Sequence, residues 1–472
     1  MDENDFDLAV VGGGLAGMVA GVRAAELGLR VAVLEKGSEP SYPCNSRWSG
    51  GIIHIAYTDP KEPEEALRRA VLYNTRGFTD PALEEVLVRE GARAIDWLAL
   101  QGGRFIRAGK ASWQNWMMAP PRPLTAGLDW RGRGPDVLLR LLAERLRQKG
   151  GSLRLATRAR SLVMKGGVCA GLEAEEGGAS RRFEAHAVIL ADGGFQGDPE
   201  LLRRHITPFP QMLKQRGAAT GTGDGLSMAR EAGAATSPLD CFYGHLLCRD
   251  AFSNDRVWPY PELDAIASAG IVVDRGGRRI LDEGEGGIFM ANGIARSPAP
   301  LEASVVFDAQ IWDGPGRSAR IPANPELARA AGTIHRALAI PELARLAGID
   351  GEGLALTLAL YNAACEKGDF AALAPSRSSE RYWPMPIATP PFFAIPLCAG
   401  ITYTMGGLKI DAAGRVLRED GQAIPGLYAA GSTTGGIDGG PYAGYVGGLA
   451  KAAVFGLRAA EDAASKIRGE KR

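Results

Sequence analysis

This sequence predicts an α/β fold: a Rossmann-like domain formed by both chain ends, interrupted by an inserted cap of α+β character. Residues 7–35 read DLAVVGGGLAGMVAGVRAAELGLRVAVLE, which is an apolar strand, a GxGxxG turn, a helix, a second strand and an acid. A second strand ending at glycine, GLYAAGS at 426–432, returns near the other end and precedes a glycine-rich helical pattern at 446–460. Between about 241 and 396 the regular alternation gives way to proline, aromatics and short strand patterns. One domain is therefore expected from 1–240 and 397–472, with a capping domain over 241–396.

Each part of the opening stretch meets a physical need. Gly12 permits the sharp strand-to-helix turn, Gly14 lets backbone amides approach a pyrophosphate, and Gly17 lets helix and strand pack closely. The helix N-terminus adds free N–H groups and partial positive charge for phosphates. Glu35 ends the second strand, placed to accept hydrogen bonds from a ribose. An ADP-containing cofactor is the expected ligand. Downstream, 62–104 has helical periodicity in two runs (EEALRRAVLYN, then PALEEVLVREGARAIDWLALQGG) with Gly102 and Gly103 as the stop, and 136–149 (DVLLRLLAERLRQK) is strongly amphipathic. Strand patterns follow at 152–155, 161–163 and 182–186, and AVILA at 187–191 is a buried strand running into Asp192-Gly193-Gly194.

Bulk properties narrow the class. A chain of 472 residues is too long for one core. Apolar residues make up 46% and charged residues 23%, the balance of an ordinary globular protein. The 54 basic and 54 acidic side chains cancel, which argues against nucleic acid or an anionic membrane as partner. No stretch approaches the ~18 apolar residues of a membrane span. The acidic start MDENDFD is neither a secretory signal nor a transit peptide, so a cytoplasmic location with reduced thiols is expected. The six cysteines form no CxxC, so no redox dithiol, c-type haem or iron–sulfur spacing is encoded. Any such centre must sit on another polypeptide. A disulfide reductase is disfavoured for the same reason, and because the glycines at 221–225 lack a preceding strand.

The second strand-glycine element suggests a large cofactor that meets backbone at several remote points, which favours FAD over a nicotinamide. Eight motifs in order carry a resemblance over essentially the whole chain. They are GGGLAG at 12–17, Glu35-Lys36, Asn45-Ser46 with Ser49-Gly50-Gly51, VILADGGF at 188–195, TGDGLSMAREAGA at 222–234, GRRILDE at 277–283, TMGGLKID at 404–411 and GLYAAGSTTGG at 426–436. In these the chain resembles the fumarate reductase/succinate dehydrogenase flavoprotein family. The resemblance implies an FAD domain, a mobile cap, and substrate at their interface. It implies that Glu35 holds the adenosine ribose, that Asn45, Ser46 and Gly51 border the isoalloxazine edge, and that Ala191 and Gly193 line the adenine side. It places Ser432 at the ribityl-phosphate region and Gly448, Leu449 and Ala450 at the pyrimidine edge. The matching motifs add Leu15, Ala16, Lys36, Ser49, Gly50, Asp224 and Gly431 to the expected contacts. Attachment is expected to be non-covalent: succinate dehydrogenases place a linking histidine where this chain has Cys44, and only position supports a cysteinyl link.

The substrate determinants of that family are mostly replaced. His245 falls in register with its first substrate histidine. Its second histidine is Tyr403 here, its proton-donating arginine is glycine in DEGEGG at 282–287, and its anchoring arginine is Tyr445. Two lost positive charges remove what a dianion requires, so fumarate and succinate are not the expected substrates. The loop GPYAGY at 440–445 resembles the 3-ketosteroid Δ1-dehydrogenase and tricarballylate dehydrogenase branches. In the former a tyrosine at the position of Tyr442 takes part at the reacting carbonyl. A ketone acidifies its α C–H, and hydroxyls with backbone amides can stabilise an enolate without positive charge. The expected activity is an FAD-dependent dehydrogenase that makes a C=C bond α,β to a carbonyl of a small molecule. In it His245 orients the substrate and Tyr442, helped by Tyr403 or Tyr445, handles the proton. Alternatives are an ene-reductase, a polycarboxylate dehydrogenase, or a flavoprotein subunit that passes electrons within a complex. The electron acceptor is not assigned. Arg47, Arg131 and Arg249 could each bind a carboxylate, and Trp113, Trp116, Trp258 and Tyr260 could wall a hydrophobic substrate.

Overall fold

The computed structural model describes residues 4–470; residues 1–3 of the acidic start and 471–472 of the charged end lie outside the described residues. The opening stretch forms β1 (Asp5–Val11), α1 (Leu15–Glu26) and β2 (Val31–Leu34). Next come α2 (Gly134–Gln148), β3 (Ser152–Arg154), β4 (Thr157–Lys165), β5 (Val168–Glu176) and β6 (Ala179–Leu190). The inserted region carries β7 (Phe242–Cys248), β8 (Ile271–Val273) and β9 (Ser304–Asp308). β10 (Phe392–Thr404) leads back to β11 (Arg415–Leu417), β12 (Ala423–Ala429) and the C-terminal helix α3 (Gly448–Glu470).

The larger sheet has eight strands in the order β11-β12-β6-β1-β2-β3, with the hairpin β4–β5 attached to β6. From β12 to β3 the neighbours are parallel. A parallel sheet covered on both faces needs continuous apolar strands, and Leu8, Ala9, Val10, Val188, Ile189 and Leu190 are fully buried. Both chain ends meet here. β12 pairs with β6 beside β1, and α3 lies on α1 at such close range that a Cβ on Gly456 would sit 2.7 Å from the Ala16 carbonyl oxygen.

The second sheet has six strands, with β7-β10-β9-β8 antiparallel and the short pieces His335–Ala337 and Lys214–Gln215 also paired to β10. The expected domain boundary at 396 falls inside β10, which runs unbroken from Phe392 to Thr404. The two helical runs expected in 62–104 are the helices Glu64–Thr75 and Pro81–Leu100, parted where Arg76 turns left-handed (φ 50°) just before Gly77. One sequence expectation differs in detail. The hairpin strand β5 carries no strong period and was not expected. Among the described residues no helix is long and apolar enough to cross a membrane.

One irregularity shapes the site. The register between β7 and β10 shifts between Tyr243 and Gly244, so Thr402 has no partner opposite it. Such a bulge re-aims side chains. It also frees the Thr402 carbonyl to accept from Asn45 Nδ2 at 2.9 Å.

Candidate active site

A cavity of about 600 Å³ runs from the GxGxxG turn, past the N-terminus of α3, to the second sheet. At its nucleotide end the three glycines do different things. Gly12 has φ +99° and a Cβ there would lie 2.6 Å from the Ala191 carbonyl oxygen. A Cβ at Gly17 would fall 1.9 Å from the Gly12 oxygen, so only glycine lets α1 approach β1. At Gly14 the nearest atom is Ser46 Oγ at 3.6 Å, which leaves the helix N-terminus open to a phosphate. Glu35 is held by the backbone N–H groups of Gly13 (2.8 Å) and Gly37 (2.7 Å) and keeps free lone pairs toward the cavity. These residues fit an ADP-bearing cofactor.

Further along, Ser46 Oγ accepts from Leu15 N–H at 3.0 Å, and Asn45 Oδ1 accepts from Ala218 N–H at 2.7 Å. Lys36 donates to Thr222 Oγ1 (2.7 Å) and pairs with Asp224 (3.3 Å), which also receives both arms of Arg158. Burial pushes the Asp192 carboxyl up to about 6. Cys44 lines the cavity, but burial pushes its thiol up to about 11, which makes it a poor nucleophile for a flavin link. Every expected cofactor contact lines the cavity except Ala450, which is buried in α3.

At the end beside the second sheet the cavity is walled by phenols. Tyr243 stacks on Tyr445 with ring centroids 4.1 Å apart and lies 5.3 Å from Tyr403, while Tyr57 and His54 approach Tyr445 at 5.8 and 5.5 Å. Tyr445 Oη accepts from Gly448 N–H at 3.3 Å, at the first turn of α3. Burial drives the Tyr57, Tyr243, Tyr403 and Tyr445 phenols well above their ordinary range, so none is a ready tyrosinate.

His245 lines the cavity with both nitrogens engaged. Nδ1 is 2.5 Å from Asp264 Oδ2 and Nε2 is 3.0 Å from Tyr243 Oη. A carboxylate only accepts, so Nδ1–H donates to Asp264, and in the neutral imidazole Nε2 is the atom that can accept from Tyr243. Glu262 Oε1 lies 3.6 Å from Nε2 and is paired with Arg216. His245, Glu262 and Asp264 bring ligand atoms within 4.8 Å of one another, yet the Arg216 guanidinium beside them disfavours a metal cation there. A second pair, Lys451 and Asp438, is 0% exposed at 2.7 Å, and Asp438 also reaches Tyr403 Oη at 3.4 Å.

Tyr442 departs from expectation. It is 37% exposed, outside the residues that line the cavity, and its ring lies under the Arg76 guanidinium at 3.7 Å. The backbone explains this. Ala443 has φ +48°, and Gly439 and Gly444 exchange hydrogen bonds at 2.8 Å, so the loop turns back and points Tyr442 outward. The expected arginines are also elsewhere: Arg47 is buried on Asp136 (2.8 Å), Arg131 lies on Trp130, and Arg249 donates to the Leu301 carbonyl. Trp113 and Tyr260 line the cavity, whereas Trp116 and Trp258 do not. Sequence reasoning missed Tyr243, Asp264, Glu262, Arg216, Arg122 and Arg320. Only Tyr243 carried a usable signal, since it lies two residues before His245 and so shares its strand face.

The family model described as "FAD binding domain" matches residues 7–444. The chain is 28% identical to the fumarate reductase (cytochrome) of Shewanella frigidimarina over 97% of its own length and 77% of that protein. It is 26% identical to the 3-oxosteroid 1-dehydrogenase of Mycobacterium tuberculosis, covering 98% of both chains. Its fold is similar to that of the 3-ketosteroid Δ1-dehydrogenase from Sterolibacterium denitrificans solved with 1,4-androstadiene-3,17-dione, with TM-score 0.74, 20% identity, and coverage of 98% of this chain and 100% of that one. With a match across most of its length, this chain belongs to the FAD binding domain family and is an FAD-dependent oxidoreductase of the fumarate reductase/succinate dehydrogenase group.

Proposed function

We propose that this chain is a dehydrogenase that makes a C=C bond α,β to a ketone or other carbonyl of a small-molecule substrate. The observation that carries the reading is a reaction centre built from hydroxyls, in which the two buried cations beside the phenols, Arg216 and Lys451, each already have an acid. Arg216 is paired with Glu262 and Lys451 with Asp438, so neither is free to hold a dianion at the phenols. The likeness to 3-oxosteroid and 3-ketosteroid dehydrogenases is consistent with it.

Bound FAD supplies the two-electron acceptor for the β-hydrogen. Tyr445 Oη, fixed by Gly448 N–H, has its own proton to donate to the substrate carbonyl oxygen as negative charge develops there. Tyr243 takes the α-proton while passing its own to His245 Nε2, which avoids a free tyrosinate. Asp264 stabilises the imidazolium that results. His245 therefore acts through Tyr243 and positions it. Tyr403 braces the cluster through Asp438. The same groups run in reverse would serve an ene-reductase, and the driving redox partner sets the direction.

The test is anaerobic bleaching of the holoenzyme flavin by a panel of cyclic ketones, steroids and polycarboxylates. Bleaching by ketones is expected. Bleaching by polycarboxylates alone would overturn the reading.

A further inference from the structure

Three guanidinium groups gather where the cavity opens beside the exposed residues Leu124 and Ser318. Two of them flank the Tyr260 ring, Arg122 with Cζ 4.4 Å from its centroid and Arg216 at 4.8 Å. Arg320 lines the same end of the cavity from the inserted region. Only Arg216 has an acid, Glu262. Arg122 donates from Nη2 to the Gly127 carbonyl at 2.7 Å, and Arg320 reaches only the Ala108 carbonyl at 3.5 Å. Among the described residues neither Arg122 nor Arg320 pairs with a carboxylate. The nearby acids are already taken: Asp129 by Arg133 at 2.6 Å, and Glu326 by Arg329 at 2.8 Å and by Ala126 N–H at 3.1 Å.

This arrangement is costly without a ligand. Arg122 is 8% exposed, and its Nε is buried with no hydrogen-bond partner. A buried charge persists when something compensates it, and a buried polar atom without a partner calls for an explanation such as a bound ligand. Burial presses the Arg122 guanidinium below its ordinary range, with Arg216 adding to the effect. Burial does the same to Arg320, with Arg122 adding. With Glu262 offsetting Arg216, two positive charges remain on side chains whose planar forks match a carboxylate. One of them stands on the loop before α2 and the other in the inserted region, so a shared anion would also draw the two together.

We propose that Arg122 and Arg320 form a carboxylate subsite, and that the substrate is a carbonyl compound carrying a carboxylate on the end away from its reacting carbons. The proposal rests on the reading of Tyr243 and Tyr445 as the reacting end. It narrows the substrate class to keto acids in which the carboxylate anchors and the ketone reacts.

The test reads binding, by perturbation of the flavin absorption spectrum in the oxidised holoenzyme. The probes are 4-oxocyclohexane-1-carboxylate and 3-(4-oxocyclohexyl)propanoate, each against its neutral amide. At least one acid is expected to bind about tenfold or more tightly than its amide, with a preference that shrinks at high salt. Arg122→Gln and Arg320→Gln should each weaken the acid about tenfold and leave the amide unchanged. FAD content reports folding of the Arg122 variant, and half-buried Arg320 supplies a second variant that disturbs packing less. The subsite is overturned if neither acid binds more tightly than its amide, or if the substitutions weaken acid and amide equally. Arginine-dependent preference for the acid, with no ketone able to bleach the flavin, would uphold the subsite and overturn the desaturation reading instead.

Discussion

Replacing Tyr243 with phenylalanine removes one oxygen from the proposed reaction centre and leaves the ring stack on Tyr445 in place. That oxygen is the group 3.0 Å from His245 Nε2, so its loss cuts the path from substrate to imidazole. A positioned proton-transfer group contributes roughly 10²–10⁴ in rate, or about 3–5 kcal/mol on the barrier. The effect on stability is smaller, about 1–3 kcal/mol for a buried acceptor left without its donor. Tyr442→Phe is the matched control. The same chemical change at an exposed ring held under Arg76 should cost about 0.5 kcal/mol or less and alter the rate no more than about two- to threefold. The assay is stopped-flow bleaching of the flavin under anaerobic conditions, with the cyclic ketone that reduces the unmodified enzyme fastest. Rates are normalised to bound FAD. If the Tyr243 variant kept a rate within about threefold while the Tyr442 variant lost a hundredfold, the relay would be wrong and the outward-facing loop would be the catalytic one.

Two further outcomes follow from buried charges. Burial pulls the His54 imidazole down to about 4, so between pH 6.5 and 4 the unfolded chain binds the proton that the folded one refuses. This contribution is present above pH 6.5 and falls away on acidification by about 3 kcal/mol at about 1.4 kcal/mol per unit. The Asp192 carboxyl, raised to about 6, acts in the opposite sense between pH 4 and 6. Denaturant midpoints of His54→Gln and the unmodified holoenzyme should therefore diverge less as pH falls, and a constant difference would count against the assignment. Lys451→Met strands the Asp438 carboxylate at 0% exposure and should destabilise the protein by about 3–5 kcal/mol in chemical denaturation followed by flavin release. An unchanged midpoint would mean that water reaches the pair.

The nucleotide end was legible because its requirements are local. Gly12, Gly14 and Gly17 each answer a backbone contact within one turn of chain, and the spacing alone states them. The catalytic end was legible only in kind. The replacement of a histidine by Tyr403, of one arginine by Tyr445 and of the other by glycine was readable, but the directions of Tyr442 and Tyr445 depend on the glycine loop at 436–447, where Ala443 and Gly447 adopt positive φ. Tyr442 and Tyr445 are three residues apart and face opposite surroundings for that reason. Asp264 and Glu262 carried no signal at all. They reach His245 from across a proline-rich turn whose path is set by packing against β7 and not by local sequence. The arginines were misread for a related cause: burial partners decide which guanidinium is spent, and Arg47 finds Asp136, 89 residues away, which no spacing rule anticipates.

The distribution of charge separates two tasks that a dicarboxylate enzyme would combine. Beside Tyr243, Tyr403 and Tyr445 the buried Arg216 and Lys451 are each matched, and a fixed pair such as Lys451–Asp438 contributes a dipole instead of a net charge. Such a site gives little to a bound anion, yet in the proposed reaction its hydroxyls would stabilise negative charge that appears only as the α-proton leaves, which is the condition for lowering a barrier instead of tightening ground-state binding. The unmatched charge sits at the mouth, on Arg122 and Arg320. Attraction there is uniform between substrate and transition state, so it affects capture and not turnover. Arg122→Gln should accordingly raise KM for a keto acid with little change in kcat, whereas Tyr243→Phe should lower kcat with little change in KM. Exchange of those two signatures, a kcat defect at the arginine and a KM defect at the tyrosine, would show that the anion lies against the reacting carbons and that the centre is not neutral in function.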